Sequence, residues 1–208
     1  MSNRAIGIRH YLLQEINPVI RFLIISDVLI IGAAGMLGPI FAFFIRDFIQ
    51  GGNEEVAGIA AAIFLITKSI FQIPIAAIID KIRGEKDDFS IMVPFSILMS
   101  LTPLLYLIIS QPWHLYLVQL LLGLFTAMTF PSYMAIFTRH IDKTKEGIEW
   151  GVYFTLSDLL AAGLAVIGGY MAHTIGFRAL IVSVASISTL GSLMLIFIRP
   201  YIRLRPGS

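Results

Sequence analysis

Long apolar stretches separated by short polar connections set the pattern of this chain. Six of them run over Phe22–Ile45, Val56–Ile79, Phe89–Ile109, Trp113–Phe137, Val152–Ala172 and Phe177–Ile198. Each is long enough to cross a hydrocarbon core of roughly 30 Å, which takes about 20 apolar residues in a helix. They are continuous rather than ten-residue alternating segments, which favours helices over barrel strands, the two structures that satisfy their own backbone in lipid. The pattern predicts an all-α membrane protein of six transmembrane helices. The expected organisation is a polar segment over 1–21, one bundle over 22–198 and a tail over 199–208.

Composition agrees. The chain has 208 residues, 57% hydrophobic and 13% charged, with mean hydropathy +0.86. Soluble domains carry about 25% charged residues, so the polar surface of a water-soluble globule is missing. The opening 21 residues hold Arg4, Arg9 and Arg21 without a separate short apolar region and small-residue cleavage site. The first span is therefore expected to act as the insertion signal. The segment RHYLLQEINPVIR (Arg9–Arg21) reads either as a short interfacial helix or as an ordinary flanking segment. The absence of cysteine removes disulfides and thiolate metal sites.

Charge gives the orientation. With six spans both ends share a side, and that side carries Arg4, Arg9, Arg21, Lys81, Arg83, Lys86, Arg139, Lys143, Lys145, Arg199, Arg203 and Arg205. The other side carries Arg46 and Arg178. This bias places both termini in the cytoplasm of a cell-membrane protein. It also accounts for the pI near 9.0, so nucleic acid is not an expected partner.

Ionisable groups inside spans cost about 2.5–3.5 kcal/mol each on insertion scales and mark cavities or partners. Asp27, Lys68 and Asp158 are three such groups, with Gln72 one turn beyond Lys68 and Gln119 in the fourth span. Burial disfavours the charged carboxylate, the property a proton-coupling Asp27 needs, although a structural hydrogen-bonded carboxylate is an equal reading. These five residues form the candidate substrate or proton pathway. The glycines of spans 1 and 5 read as close-packing positions. Helix bending is a further reading at Pro39, Pro74 and Pro131.

Seven of the nine residues from Asp80 to Asp88 are charged, a dense cluster for so apolar a chain. The stretch IAAIIDKIRGEK resembles the signature loop between the second and third spans of the major facilitator superfamily, through Ala76, Asp80, Lys81, Gly84 and Lys86. Ala76 stands where the family has Gly, and Arg83 where its second Gly is usual. IGFRALI (Ile175–Ile181) is similar to the family's turn before the sixth span, and Gly168-Gly169 to the end of its fifth. Gln119 occupies a position where the family often has Arg, a departure from its proton-antiport pattern.

The resemblance implies one six-helix half of that fold, the N-terminal half, built as a 3+3 inverted repeat. Asp27 and Pro39 recur as Gln119 and Pro131 at a spacing of 92. It implies that Asp80, Lys81, Arg83 and Gly84 form a cytoplasmic gate latch, while Lys86, Asp87 and Asp88 read as solvated. Span-end histidines, His140 among them, read as interfacial. It further implies that spans 1 and 4 line a cavity while spans 2 and 5 face a second half. The expected function is a half of a secondary transporter, completed by a homodimer through spans 2 and 5 or by another half, with Lys68 opposite the partner's Asp158. Two alternatives are a non-transporting scaffold or regulatory module, and a truncated half of a longer transporter. No nucleophile motif, metal-spaced cluster or phosphate loop appears, so neither enzyme chemistry nor a cofactor is expected, and the small-molecule substrate stays open.

Overall fold

In the computed structural model the described residues are 13, 16–81 and 85–202. They form six helical spans with no strand among them: Pro18–Phe48, Glu54–Lys81, Lys86–Leu107, Pro112–His140, Glu146–Thr174 and Phe177–Tyr201, here spans 1 to 6. All six are long and apolar enough to cross a membrane.

The helices overrun most of the apolar stretches because their capping residues are polar. Span 1 starts at Pro18 rather than Phe22. The Asn17 side chain accepts the Val19 N–H at 2.9 Å, and proline at the first helical position gives up an N–H that has no helical partner. Span 2 starts in the same way, with Asn53 accepting the Val56 N–H at 2.9 Å. Glu54 and Glu55 in its first turn complement the helix dipole. Pro39 lies in a 3-10 turn, Gly38–Ile40, that joins helix Pro18–Leu37 to helix Phe41–Phe48. Pro74 and Pro131 remain inside continuous helices. The segment Arg9–Arg21 falls largely outside the described residues before Pro18, but Leu13 and Ile16 are buried with Ile20 and Ile24.

Span 1 packs on spans 5 and 6, span 4 packs on spans 2 and 3, and spans 3 and 6 meet. Glycines allow close approaches between spans, Gly191 against the Ser26 carbonyl of span 1 among them. A Cβ at Gly123 would lie 2.7 Å from the Phe64 carbonyl oxygen of span 2. One at Gly168 would lie 2.1 Å from the Met36 carbonyl oxygen of span 1. Membrane helices gain from such contacts because lipid supplies no hydrophobic drive between them.

The core divides into two apolar clusters. One gathers Ile20, Leu23, Met92, Phe137 and Leu195; the other gathers Met36, Phe44, Tyr106, Leu115 and Leu180. Between them, spans 3 and 6 are joined by hydroxyls. Ser100 and Ser192 lie 2.7 Å apart, and Ser192 donates to the Ser96 carbonyl at 3.0 Å. Spans 2 and 5 are the least enclosed. In their most apolar stretches 11% and 22% of residues are buried, against 28–44% in the other spans.

Candidate functional site

Asp27 projects from span 1 toward span 5, where the Tyr153 hydroxyl donates a hydrogen bond to its Oδ2. Tyr153 belongs to an aromatic group that includes Phe137, Trp150 and Tyr133. The ring of Tyr133 lies 6.5 Å from that of Tyr153. The Tyr133 hydroxyl is buried without a hydrogen-bond partner among the described residues. A carboxylate and two phenols from three spans therefore share one layer, with Tyr133 holding an uncommitted donor. Neither tyrosine was among the sequence candidates.

Gln119 occupies a different layer. It is buried, and its Nε2 donates to the Tyr106 hydroxyl at 3.0 Å. Both line a cavity of about 410 Å³ to which spans 1, 2, 3, 4 and 6 contribute. Among the described residues, Ser100, Thr126 and Ser188 are its other polar lining residues, and none is charged. The cavity lies toward the end of the bundle where spans 1 and 2 connect, while the Asp27 layer lies toward the other end.

Lys68 is half-buried on span 2, with Nζ 5.0 Å from the centre of the Phe130 ring on span 4. A cation over an aromatic face is favourable by about 0.5–2 kcal/mol, depending on how far it is desolvated. Among the described residues it has no carboxylate partner. Gln72, one turn on, is also half-buried. Asp158 is exposed on span 5, flanked by exposed Phe154 and Leu159. The five candidates thus do not converge: Asp27 and Gln119 face the interior in separate layers, and Lys68, Gln72 and Asp158 occupy the two least enclosed spans.

At the charged end, Asp80 and Lys81 are exposed, with no ion pair to any described residue. Arg83 and Gly84 lie outside the described residues. The ion pairs that are visible use other groups. Asp88 is fully buried and bonded to Arg139 at the end of span 4. Glu85 Oε2 lies 3.1 Å from His140 Nε2, with both side chains buried. The reading of Asp88 as solvated and of His140 as interfacial is corrected by this packing. Glu85 and Asp88 are three residues apart, so both meet the adjacent Arg139 and His140 across one helical turn. Glu149 completes the end by accepting the Asp142 N–H at 3.3 Å.

The comparisons with known proteins bear on this arrangement of spans, cavity and buried ion pairs. The family model for the Major Facilitator Superfamily matches residues 23–207. The chain is also similar to the inner membrane transport protein YajR of Escherichia coli (strain K12), with 27% identity over 157 residues. That alignment covers 73% of this chain and 32% of the relative, so the chain spans about a third of the relative's length. By the extent of the family match, the chain belongs to the Major Facilitator Superfamily.

Proposed function

We propose that this bundle is one half of a secondary transporter in a cell membrane, with both termini cytoplasmic, completed by a second copy of the chain or by another six-span half. One observation carries the reading. The least enclosed spans, 2 and 5, bear Lys68 and Asp158, and Asp158 stands exposed among large apolar side chains. A carboxylate on a bare membrane face is costly unless a partner or a cavity receives it. Pairing two copies through spans 2 and 5 brings Lys68 of one toward Asp158 of the other and encloses the side of the cavity left open by a single bundle.

The internal symmetry expected of such a half is supported by the packing. Exchanging spans 1, 2 and 3 with spans 4, 5 and 6 maps the principal packed pairs onto one another: 1 with 5 onto 4 with 2, 1 with 6 onto 4 with 3, and 3 with 6 onto itself. Ser100 and Ser192, hydrogen-bonded across spans 3 and 6, are 92 residues apart, the spacing of the sequence repeat. Inverted repeats of this kind rock about a central site. In the proposed cycle Gln119 and Tyr106 bind the solute and Asp27, held by Tyr153, carries the coupling proton. Glu85–His140 and Asp88–Arg139 hold one face closed, and exposed Asp80 and Lys81 engage the second half.

The chain has no cysteine, which makes cross-linking direct. A variant carrying Ile66→Cys and Leu159→Cys, both on exposed faces of spans 2 and 5, is expected to give a disulfide-linked dimer in liposomes. Lys68→Asp and Asp158→Lys should each lower the dimer yield, and their combination should restore it. A chain that stays monomeric at high protein-to-lipid ratio, or a charge exchange without rescue, overturns the homodimer.

A further inference from the structure

We propose that the groove between spans 3 and 6, at the end of the bundle that carries Lys86 and Arg199, binds the headgroup of an anionic phospholipid. The groove encloses about 550 Å³. Two cations, Lys86 and Arg199, and the hydroxyl of Ser90 line it together with apolar Phe89, Val93 and Ile196. Among the described residues no carboxylate contributes to the lining.

Three other basic residues at this end are engaged, Arg139 with Asp88, His140 with Glu85, and Lys145 with Asp142 at 3.8 Å, while Lys81 and Lys143 do not line the groove. Lys86 and Arg199 form no ion pair with a described residue. Of the acidic groups beside Lys86, Glu85 and Asp88 are taken up by span 4, and Asp87 is not among the described residues that line the groove. Lys86 also opens the helix Lys86–Leu101, whose first backbone N–H groups add positive potential. The Ser90 hydroxyl donates to the Lys86 carbonyl at 2.6 Å, which fixes it beside the cation.

An anion held here meets two charges on one side and hydrocarbon on the other. The apolar half of the lining selects a lipid over a soluble phosphate. Leu193, exposed and one turn before Ile196, extends the apolar wall from the headgroup level toward the membrane centre, along the path of an acyl chain. Basic pockets between membrane helices at the cytoplasmic level are a recurrent form of anionic-lipid recognition. Spans 3 and 6 are not the spans assigned to the second half, so the groove stays open to lipid in a dimer paired through spans 2 and 5.

The test uses the full chain in detergent, offered equimolar phosphatidylglycerol and phosphatidylcholine, with retained lipid counted by native mass spectrometry. Preferential retention of phosphatidylglycerol is expected. Lys86→Gln with Arg199→Gln should weaken it about 25-fold, each cation contributing roughly fivefold. Lys143→Gln with Lys145→Gln, removing the same charge from the loop between spans 4 and 5, should leave it unchanged. Lys86→Arg with Arg199→Lys, which keeps both charges, should retain the lipid and gives a second reading if the neutral pair folds poorly. Equal retention of the two lipids overturns the site, as does an equal loss in the loop pair. Displacement of the lipid by glycerol 3-phosphate at the same concentration overturns it in favour of a soluble phosphate.

Discussion

Asp88→Asn tests the buried ion pairs at the charged end. Asp88 is 0% exposed and Arg139 is 34% exposed, so the pair is desolvated on one side only. Removing one member of a fully buried pair costs about 3–5 kcal/mol. Partial solvent screening of Arg139, and the hydrogen bond that asparagine can still make, bring the expected cost to about 2 kcal/mol. For a chain of this length that lowers the melting temperature by about 4–8 °C. Arg139→Gln should cost more, about 3 kcal/mol, because it leaves the carboxylate as the buried charge. The double variant should fall short of the sum by about 1–2 kcal/mol, the coupling of a contacting pair. Thermal unfolding in detergent, followed by tryptophan fluorescence, reads this end directly, since Trp150 stacks on Phe137 at 4.3 Å. Asp80→Asn, on an exposed residue at the same end of the bundle, should stay within about 0.5 kcal/mol. Additive single effects, or a larger cost at Asp80 than at Asp88, would refute the reasoning.

Two further outcomes follow from packing and from the cavity. Gly168→Val forces a side chain against the Met36 carbonyl and should cost about 1–3 kcal/mol or separate spans 1 and 5, seen as lost thermal stability. Gly169→Ala, with nothing within 4 Å of its Cβ, should be neutral or stabilising by up to about 1 kcal/mol from helix propensity. Gln119→Leu removes the hydrogen bond to buried Tyr106 and should cost about 1–3 kcal/mol. Tyr106→Phe in the same background should recover much of that loss in an unfolding measurement.

The six spans were legible because a bilayer imposes a length, and each apolar run meets it. Their ends were less so, because Asn17, Pro18, Asn53 and Glu54 are polar or helix-breaking by type yet cap or begin helices. The turn before span 6 was also visible: Gly176 takes φ +100°, a conformation that favours glycine. Partners were not legible. Tyr153 is 126 residues from Asp27, and no periodicity within one helix says which neighbour it faces. Asp88 was misread because a charged stretch beside a membrane span reads as solvated, whereas Asp88 lies in the first turn of span 3, which packs on span 4. A signal was present nonetheless. Two acids one turn apart and two adjacent bases at the end of span 4 lie at the same membrane level, and together they neutralise one another.

The separation of the polar groups into layers bears on how such a half would work. Asp27–Tyr153 joins spans 1 and 5, while Glu85–His140 and Asp88–Arg139 tie the start of span 3 to the end of span 4. All three lie on the side of the molecule away from the cavity. At the cavity end, Gln111 donates to Gln50, and the Gln50 N–H bonds the Ser110 carbonyl at 2.8 Å. On the proposed reading, opening the charged end breaks several bonds between helices, each with a net value of about 0.5–3 kcal/mol. A solute that held the cavity equally well in both states could not drive that change, since only differential affinity shifts a conformational equilibrium. Protonation of Asp27 removes the charge that Tyr153 stabilises without touching the cavity lining. It would therefore loosen the tie between spans 1 and 5 while leaving solute recognition by Gln119 and Tyr106 intact.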